Sequence, residues 1–207
     1  MRKIVIAPHV DDDVLGCGGI IDKDTTVIYC GLNESHLTAR PSMKTRINEA
    51  NSVSKYLGNT YILLDNKVNE YKTPKLISSF ERIINETKPH EIYIPYPSYN
   101  QDHRVVYDAC MVALRPHDIN FFVNKVFVYE QPHVFLWDNA HNIDSAFKPN
   151  SFKKIDIDKK INAYKLMKTQ VRSFRSPEML RSMAMLRGSQ SNCEYAEAFQ
   201  LIRNVEN

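Results

Sequence analysis

The feature that most restricts the fold of this chain is a regular alternation of short β-branched runs with stretches of helical spacing. Lys3 to Pro8, Thr25 to Gly31, Tyr61 to Leu64, Glu91 to Pro95 and Lys125 to Tyr129 read as strands. Between them, Val14 to Ile21 is an apolar stretch opened by aspartates, a helix-start signal. Ser42 to Leu57 carries Met43, Ile47, Ala50, Val53 and Leu57 at helical intervals, and Gly58 follows as a stop. Pro74 to Glu86 is entered through a proline after Thr73, and Asp102 to Leu114 is again helical. Strands alternating with helices predict an α/β fold: a doubly wound, mostly parallel sheet with helices on both faces, strand order 3-2-1-4-5.

Beyond Pro132 the pattern changes. A segment rich in Asn and Pro precedes a short strand candidate at Phe152 to Ile157 and two helices, Asp158 to Gln170 and Pro177 to Leu186, the second capped by Ser176. This tail is too short for a core of its own. One domain over residues 1–207 is expected, with 1–132 as the core sheet and 133–207 as a flank or lid walling a cleft. Composition excludes whole classes of function. Forty-three per cent hydrophobic residues is ordinary for a globular chain, and a formal charge of +3 is too small for a nucleic-acid or membrane-surface partner. No apolar run approaches the roughly 20 residues of a membrane span, and the first residues do not read as a signal peptide. Cys17, Cys30, Cys110 and Cys193 have no paired spacing, which argues against a zinc ribbon or disulfide scaffold. The expected compartment is the cytoplasm.

Two clusters carry chemistry. His9-Val10-Asp11-Asp12-Asp13 follows strand one directly, and Asn100-Gln101-Asp102-His103 follows strand four. In the expected strand order those strands are neighbours at the switch point, where such sheets bind ligands at the strands' carboxyl ends. The two clusters then meet across one crevice. His9 and Asp12, three apart on a loop entering a helix, can face one ion, and His103 can close a three-ligand set suited to Zn²⁺. Asp11 is left uncoordinated beside the open position, where a carboxylate can act as general base. Aspartates that merely begin a helix explain one or two of these acids, but neither His9 nor His103.

Ala7-Pro8-His9-Val10-Asp11-Asp12-Asp13-Val14-Leu15-Gly16-Cys17-Gly18-Gly19 resembles the A-H-P-D-D-E-x-x-G-x-G-G signature of the LmbE-like/PIG-L zinc de-N-acetylases. Gln101-Asp102-His103-Arg104-Val105-Val106 resembles that family's second motif, and Arg46-Ile47-Asn48-Glu49 its R-x-x-E pattern. Arg187-Gly188-Ser189 with Tyr195-Ala196-Glu197-Ala198-Phe199 is similar to a tail segment of many bacterial members. The resemblance implies a Rossmann-like sheet, His9, Asp12 and His103 as zinc ligands, and Asp11 as general base. It implies hydrolysis of the acetyl group of a small-molecule N-acetylated amino sugar; the expectation of no nucleic-acid or membrane partner comes instead from the charge balance and the lack of an apolar span, and a homo-oligomer is compatible with so compact a fold. Three departures stand out. Val10 follows the ligand histidine where the family more often has proline, and Asp13 replaces the usual glutamate. Asn100 stands where some members carry a second histidine; its amide can donate to an oxyanion but cannot protonate a leaving amine.

Other residues keep two readings. Asp102 either orients a ligand histidine or only caps a helix. Arg46 either reaches a sugar hydroxyl or anionic group of the substrate or sits on a solvated helix face. His36, His90 and His117 read as loop or surface residues, whereas His133 and His141 fall in the irregular segment that could line the cleft. Trp137 and Tyr129 could stack on a sugar ring, with core packing the simpler reading. Gly16-Cys17-Gly18-Gly19 lacks the G-x-G-x-x-G spacing, and three aspartates there would repel a pyrophosphate. Two alternatives complete the reading. Asp11-Asp12-Asp13-Val14-Leu15 fits a D-x-D-x-V pattern of magnesium phosphatases of the haloacid-dehalogenase type, and a sugar-binding module without catalysis is the third class.

Overall fold

A computed structural model of the chain describes residues 1–34, 37–38, 40–132 and 147–206. His36, His133, Trp137 and His141 lie outside the described residues. The strands are β1 (Lys3–Ala7), β2 (Thr25–Tyr29), β3 (Thr60–Leu63), β4 (Glu91–Pro95), β5 (Lys125–Tyr129), β6 (Ser151–Lys154) and β7 (Ala196–Asn204). The helices are α1 (Asp12–Cys17), α2 (Met43–Leu57), α3 (Thr73–Thr87), α4 (Gln101–Ala113), α5 (Ile157–Lys165) and α6 (Pro177–Gln190). They surround one seven-stranded sheet in the order β3-β2-β1-β4-β5-β7-β6. The first five strands are parallel, in the expected order 3-2-1-4-5.

The near-continuous apolar strands are explained by burial of both faces of the sheet. Ile4 and Ile6 of β1 join Ile28, Ile92, Ile94, Val126 and Val128 on one face, packed against Leu76, Phe80 and Ile83 of α3 and Val106 and Cys110 of α4. Val5 and Ala7 join Val27, Tyr29, Tyr93, Phe127 and Tyr129 on the other, against Val14 of α1, Val53 and Leu57 of α2 and Tyr164 of α5. Tyr129 is therefore a core residue and not a sugar platform; its hydroxyl donates to the Ile6 carbonyl at 2.8 Å.

Helix ends follow local chemistry. Ser42 caps α2 by accepting from the Thr45 amide, and the helix stops at Gly58, whose φ of 82° favours glycine. Ser176 caps α6 in the same way. Where the expected boundaries miss, tertiary contacts decide. The helix expected to reach Gln170 ends at Lys165, because the Tyr164 hydroxyl donates to the Gln170 and Arg175 carbonyls at 2.8 and 2.9 Å and folds the following segment back. The nine-residue β7 was not anticipated. It inserts antiparallel between β5 and β6, so the expected C-terminal flank supplies two strands of the sheet itself. Its pattern is obscured because Glu197 occupies a buried position, matched there by Lys160 at 2.7 Å.

Gly16 lets α1 lie directly on β5. A Cβ there would stand 2.2 Å from the Tyr129 ring and 3.0 Å from the Glu130 carbonyl oxygen. Gly16→Ala should lower stability by about 1–3 kcal/mol, the usual range for overpacking, despite alanine's better helix propensity. The check is the denaturant midpoint; an unchanged midpoint would show that α1 can shift away from the ring.

Candidate metal centre

β1 and β4 are adjacent and in register, Lys3 opposite Glu91 through Val5 opposite Tyr93. The segments leaving their carboxyl ends therefore face each other. After β1, the chain turns tightly, with the Asp11 amide donating to the His9 carbonyl at 3.1 Å, and enters α1 at Asp12. After β4, the Asn100 side chain caps α4 by accepting from the Asp102 amide at 2.9 Å. This cap places Asp102 and His103 in the first helical turn, both buried.

His9, Asp12 and His103 bring one donor atom each to within 4.8 Å of one another. Asp12 Oδ2 lies 3.2 Å from His9 Nδ1 and 3.3 Å from His103 Nε2. Donors bound tetrahedrally at the ~2.0–2.1 Å typical of Zn–N and Zn–O stand about 3.3 Å apart, so these donors fit such an ion. The same Asp12 oxygen accepts from the His9 amide at 2.8 Å, which anchors the turn. On the far side of the ring, His9 Nε2 donates to Asp102 Oδ2 at 2.9 Å, leaving Nδ1 directed at Asp12. Asp102 Oδ2 also accepts from the Asn69 amide at 2.8 Å. Asp102 thus orients His9, not its neighbour His103, and Asn100 is the helix cap.

The electrostatics match this arrangement. Burial opposes a charge on His9, but hydrogen bonds to Asp102 and Asp12 outweigh it and push its pKa up to about 10. Burial likewise opposes the Asp12 carboxylate, and His103 and His9 overcome it, holding that group well below the usual carboxylate range. Asp13 is different. It is buried beneath the turn and accepts from the Tyr29 hydroxyl at 2.8 Å, and burial raises its pKa to about 7 against the pull of that hydrogen bond. Asp13 therefore belongs to the support of the turn, and the D-x-D pairing required of a phosphatase does not form.

Asp11 is 4% exposed and makes an ion pair with Arg175 Nη1 at 2.9 Å. Burial works against the guanidinium of Arg175, and the Asp11 carboxylate outweighs it, raising its pKa. Sequence reading missed this partner. The basic-aromatic stretch Arg172-Ser173-Phe174-Arg175 was an available signal, but nothing local links it to a turn 164 positions earlier. Arg46 is not on a solvated helix face: it is 4% exposed, and its guanidinium donates to the Val10 carbonyl and to Glu49. Glu49 in turn accepts from the amide and hydroxyl of Thr169, each at 2.7 Å. The R-x-x-E pattern is thus a clamp joining the metal-side turn, α2 and the segment after α5. His90 is exposed and His117 sits in the connection after α4, where its Nδ1 accepts from the Ile119 and Asn120 amides; neither lines the cleft. The cleft above the three donors, about 310 Å³, is lined by Asp11, Asn100, Arg46 and residues of both loops.

Fold and site together define a class: a doubly wound α/β enzyme with a two-histidine, one-carboxylate donor set at the switch point. The chain belongs to the PIG-L family, GlcNAc-PI de-N-acetylase, whose model matches residues 4–114. It is an N-deacetylase, a hydrolase of linear amides, in a family of metal-dependent enzymes. No curated protein matches the sequence. Among solved structures, N,N'-diacetylchitobiose deacetylase from Pyrococcus horikoshii superposes with a TM-score of 0.80 at 18% identity, covering 98% of this chain and 84% of that one. The A40926 pseudoaglycone deacetylase Dbv21 gives 0.73 at 18% identity, covering 100% of this chain and 99% of that one. The 4-carboxy-2-hydroxymuconate hydratase GalB from Pseudomonas putida KT2440 gives 0.74 at 19% identity, with the same coverages of 100% and 99%. The shared fold thus carries more than one reaction. Among the described residues, no helix is long and apolar enough to cross a membrane.

Proposed function

We propose that this protein is a zinc-dependent deacetylase of N-acetylated amino sugars, releasing acetate and a free amine. The observation that carries this reading is the convergence of His9 Nδ1, Asp12 and His103 Nε2 beside an Asp11 carboxylate that is not one of the three donors. Zn²⁺ held by those residues would supply Lewis acidity, activating water and polarising the acetyl carbonyl. The chain's own groups do the rest. Asp11 takes a proton from the attacking water and returns it to the nitrogen as the C–N bond breaks. Arg175 holds the Asp11 carboxylate by one oxygen, which keeps that group from joining Asp12 as a ligand. The Asn100 amide, whose carbonyl oxygen is committed to the helix cap, offers its N–H to the developing oxyanion. Asp102 fixes the ring of His9, and Arg46 holds the turn through the Val10 carbonyl, so both are positioning residues.

The test is acetate release from N-acetylglucosamine, its glycosides and its nucleotide conjugates, with the metal stripped by a chelator and then restored. Activity should disappear on stripping and return with Zn²⁺ but not with Mg²⁺. Absence of acetate from every N-acetyl hexosamine by the zinc-loaded protein would overturn the assignment, and binding without turnover would favour a sugar-binding module.

A further inference from the structure

One loop, the connection between β3 and α3, grips the candidate ligand His9 from two sides. The first grip is on the backbone. The buried Tyr71 hydroxyl donates to the Pro8 carbonyl at 2.7 Å. That carbonyl belongs to the same peptide unit as the His9 amide, which donates to Asp12 Oδ2 at 2.8 Å. A trans peptide points its C=O and N–H in opposite directions, so Tyr71 on one side and Asp12 on the other fix the plane from which the His9 side chain departs. The Tyr71 ring also lies 6.1 Å from the His9 ring, centroid to centroid. The second grip is on the imidazole. The Asn69 amide donates at 2.8 Å to Asp102 Oδ2, the oxygen that His9 Nε2 meets at 2.9 Å.

Asn69 has a φ of 69°, in the left-handed region that asparagine tolerates and β-branched residues do not. In that conformation its amide meets Asp102, and its side-chain oxygen accepts from Gln101 Nε2 at 2.7 Å on the same helix. The loop is itself anchored just beyond β2: Asn66 Nδ2 donates to the Cys30 carbonyl at 2.6 Å, and the Val68 amide to the Asn33 carbonyl at 3.1 Å. We infer that Asn69 and Tyr71 are positioning residues of the metal centre, setting His9 in place through Asp102 and through the peptide that joins Pro8 to His9. The inference rests on the reading of His9, Asp12 and His103 as the donors. A loop that offers no donor atom of its own then decides how tightly the ion is held.

Tyr129 supplies the control. Its buried hydroxyl makes the same kind of bond, 2.8 Å to the Ile6 carbonyl of β1, but that peptide unit carries no metal donor. Zn²⁺ affinity is measured by competition with a chromophoric chelator, and ligand geometry by the visible absorption of the Co²⁺-loaded protein. Tyr71→Phe and Asn69→Val should each weaken Zn²⁺ binding by about tenfold, the lower end for a changed outer hydrogen-bond partner, and should shift the Co²⁺ bands. Asn69→Gly keeps the left-handed backbone and its amide, and should bind Zn²⁺ like the wild type. Asn69 is exposed, so both of its variants should fold. Tyr129→Phe should lower the denaturant midpoint and leave affinity and spectrum unchanged. Wild-type affinity in either Tyr71→Phe or Asn69→Val would overturn the inference. So would a loss in Asn69→Gly equal to that in Asn69→Val, or a loss in Tyr129→Phe equal to that in Tyr71→Phe. If the wild type binds neither ion, the reading of the donors fails, and the ring nitrogen-15 shifts of His9 in the metal-free protein decide. Shifts moved by Tyr71→Phe and Asn69→Val but not by Tyr129→Phe support the grip on His9; unmoved shifts refute it.

Discussion

Replacing Asp11 by Asn should reduce kcat for acetate release by about 10²- to 10⁴-fold, the usual contribution of a positioned general acid–base group, with one zinc per chain still bound. The separation of the two effects follows from geometry. Asp11 and its neighbour Asp12 are both buried, yet their carboxylates have different partners: Arg175 for Asp11, the two histidines for Asp12. An amide at position 11 keeps the shape of the side chain and can accept from Arg175, but it cannot shuttle a proton. The measurement is acetate release alongside metal content after gel filtration. Wild-type turnover in the variant would remove Asp11 from the chemistry, whereas loss of zinc together with activity would make it a ligand.

Asp12→Ala should have the complementary result: no zinc retained, and no zinc-dependent activity at stoichiometric metal. Asp12 Oδ2 is the common neighbour of His9 Nδ1 and His103 Nε2, and it also anchors the turn through the His9 amide. Its removal leaves two imidazoles without the anion that offsets a divalent charge. The effect should exceed the 10- to 100-fold loss of metal affinity that typically follows a change of an outer hydrogen-bond partner, the loss expected for Asp102→Asn, which takes the negative charge away from the far nitrogen of His9. Competition titration with a chromophoric chelator ranks the variants. If Asp102→Asn proved as damaging as Asp12→Ala, Asp102 would have to touch the ion.

Much of this was legible because it is local. Each parallel strand is an apolar run buried on both faces, and Ser42, Gly58 and Ser176 mark helix ends by hydrogen bonds and backbone conformations that span a few residues. What escaped reading depends on partners distant in sequence. Asp102 is adjacent to His103, yet its carboxylate meets His9, because a side chain in the first turn of α4 projects across to the neighbouring strand end. Arg46 has the look of a surface residue on an amphipathic helix. It is buried because Glu49, the Val10 carbonyl and the Thr169 segment enclose it. β7 hides Glu197 in the core, and no alternation rule anticipates a buried acid whose matching Lys160 lies on another element.

The amino-acid sequence by itself determined the strand-helix alternation, the parallel order 3-2-1-4-5 and the pair of motifs that this order brings to one crevice. Periodicity and chain connectivity are properties of neighbouring residues, so they survive without coordinates. Only the tertiary structure decided which aspartate is joined to the histidines and which to Arg175, and that the last strand lies inside the sheet. Those distinctions rest on a few ångströms between groups up to 164 residues apart in sequence. Electrostatic pairing depends on distance in space, and local sequence does not encode it.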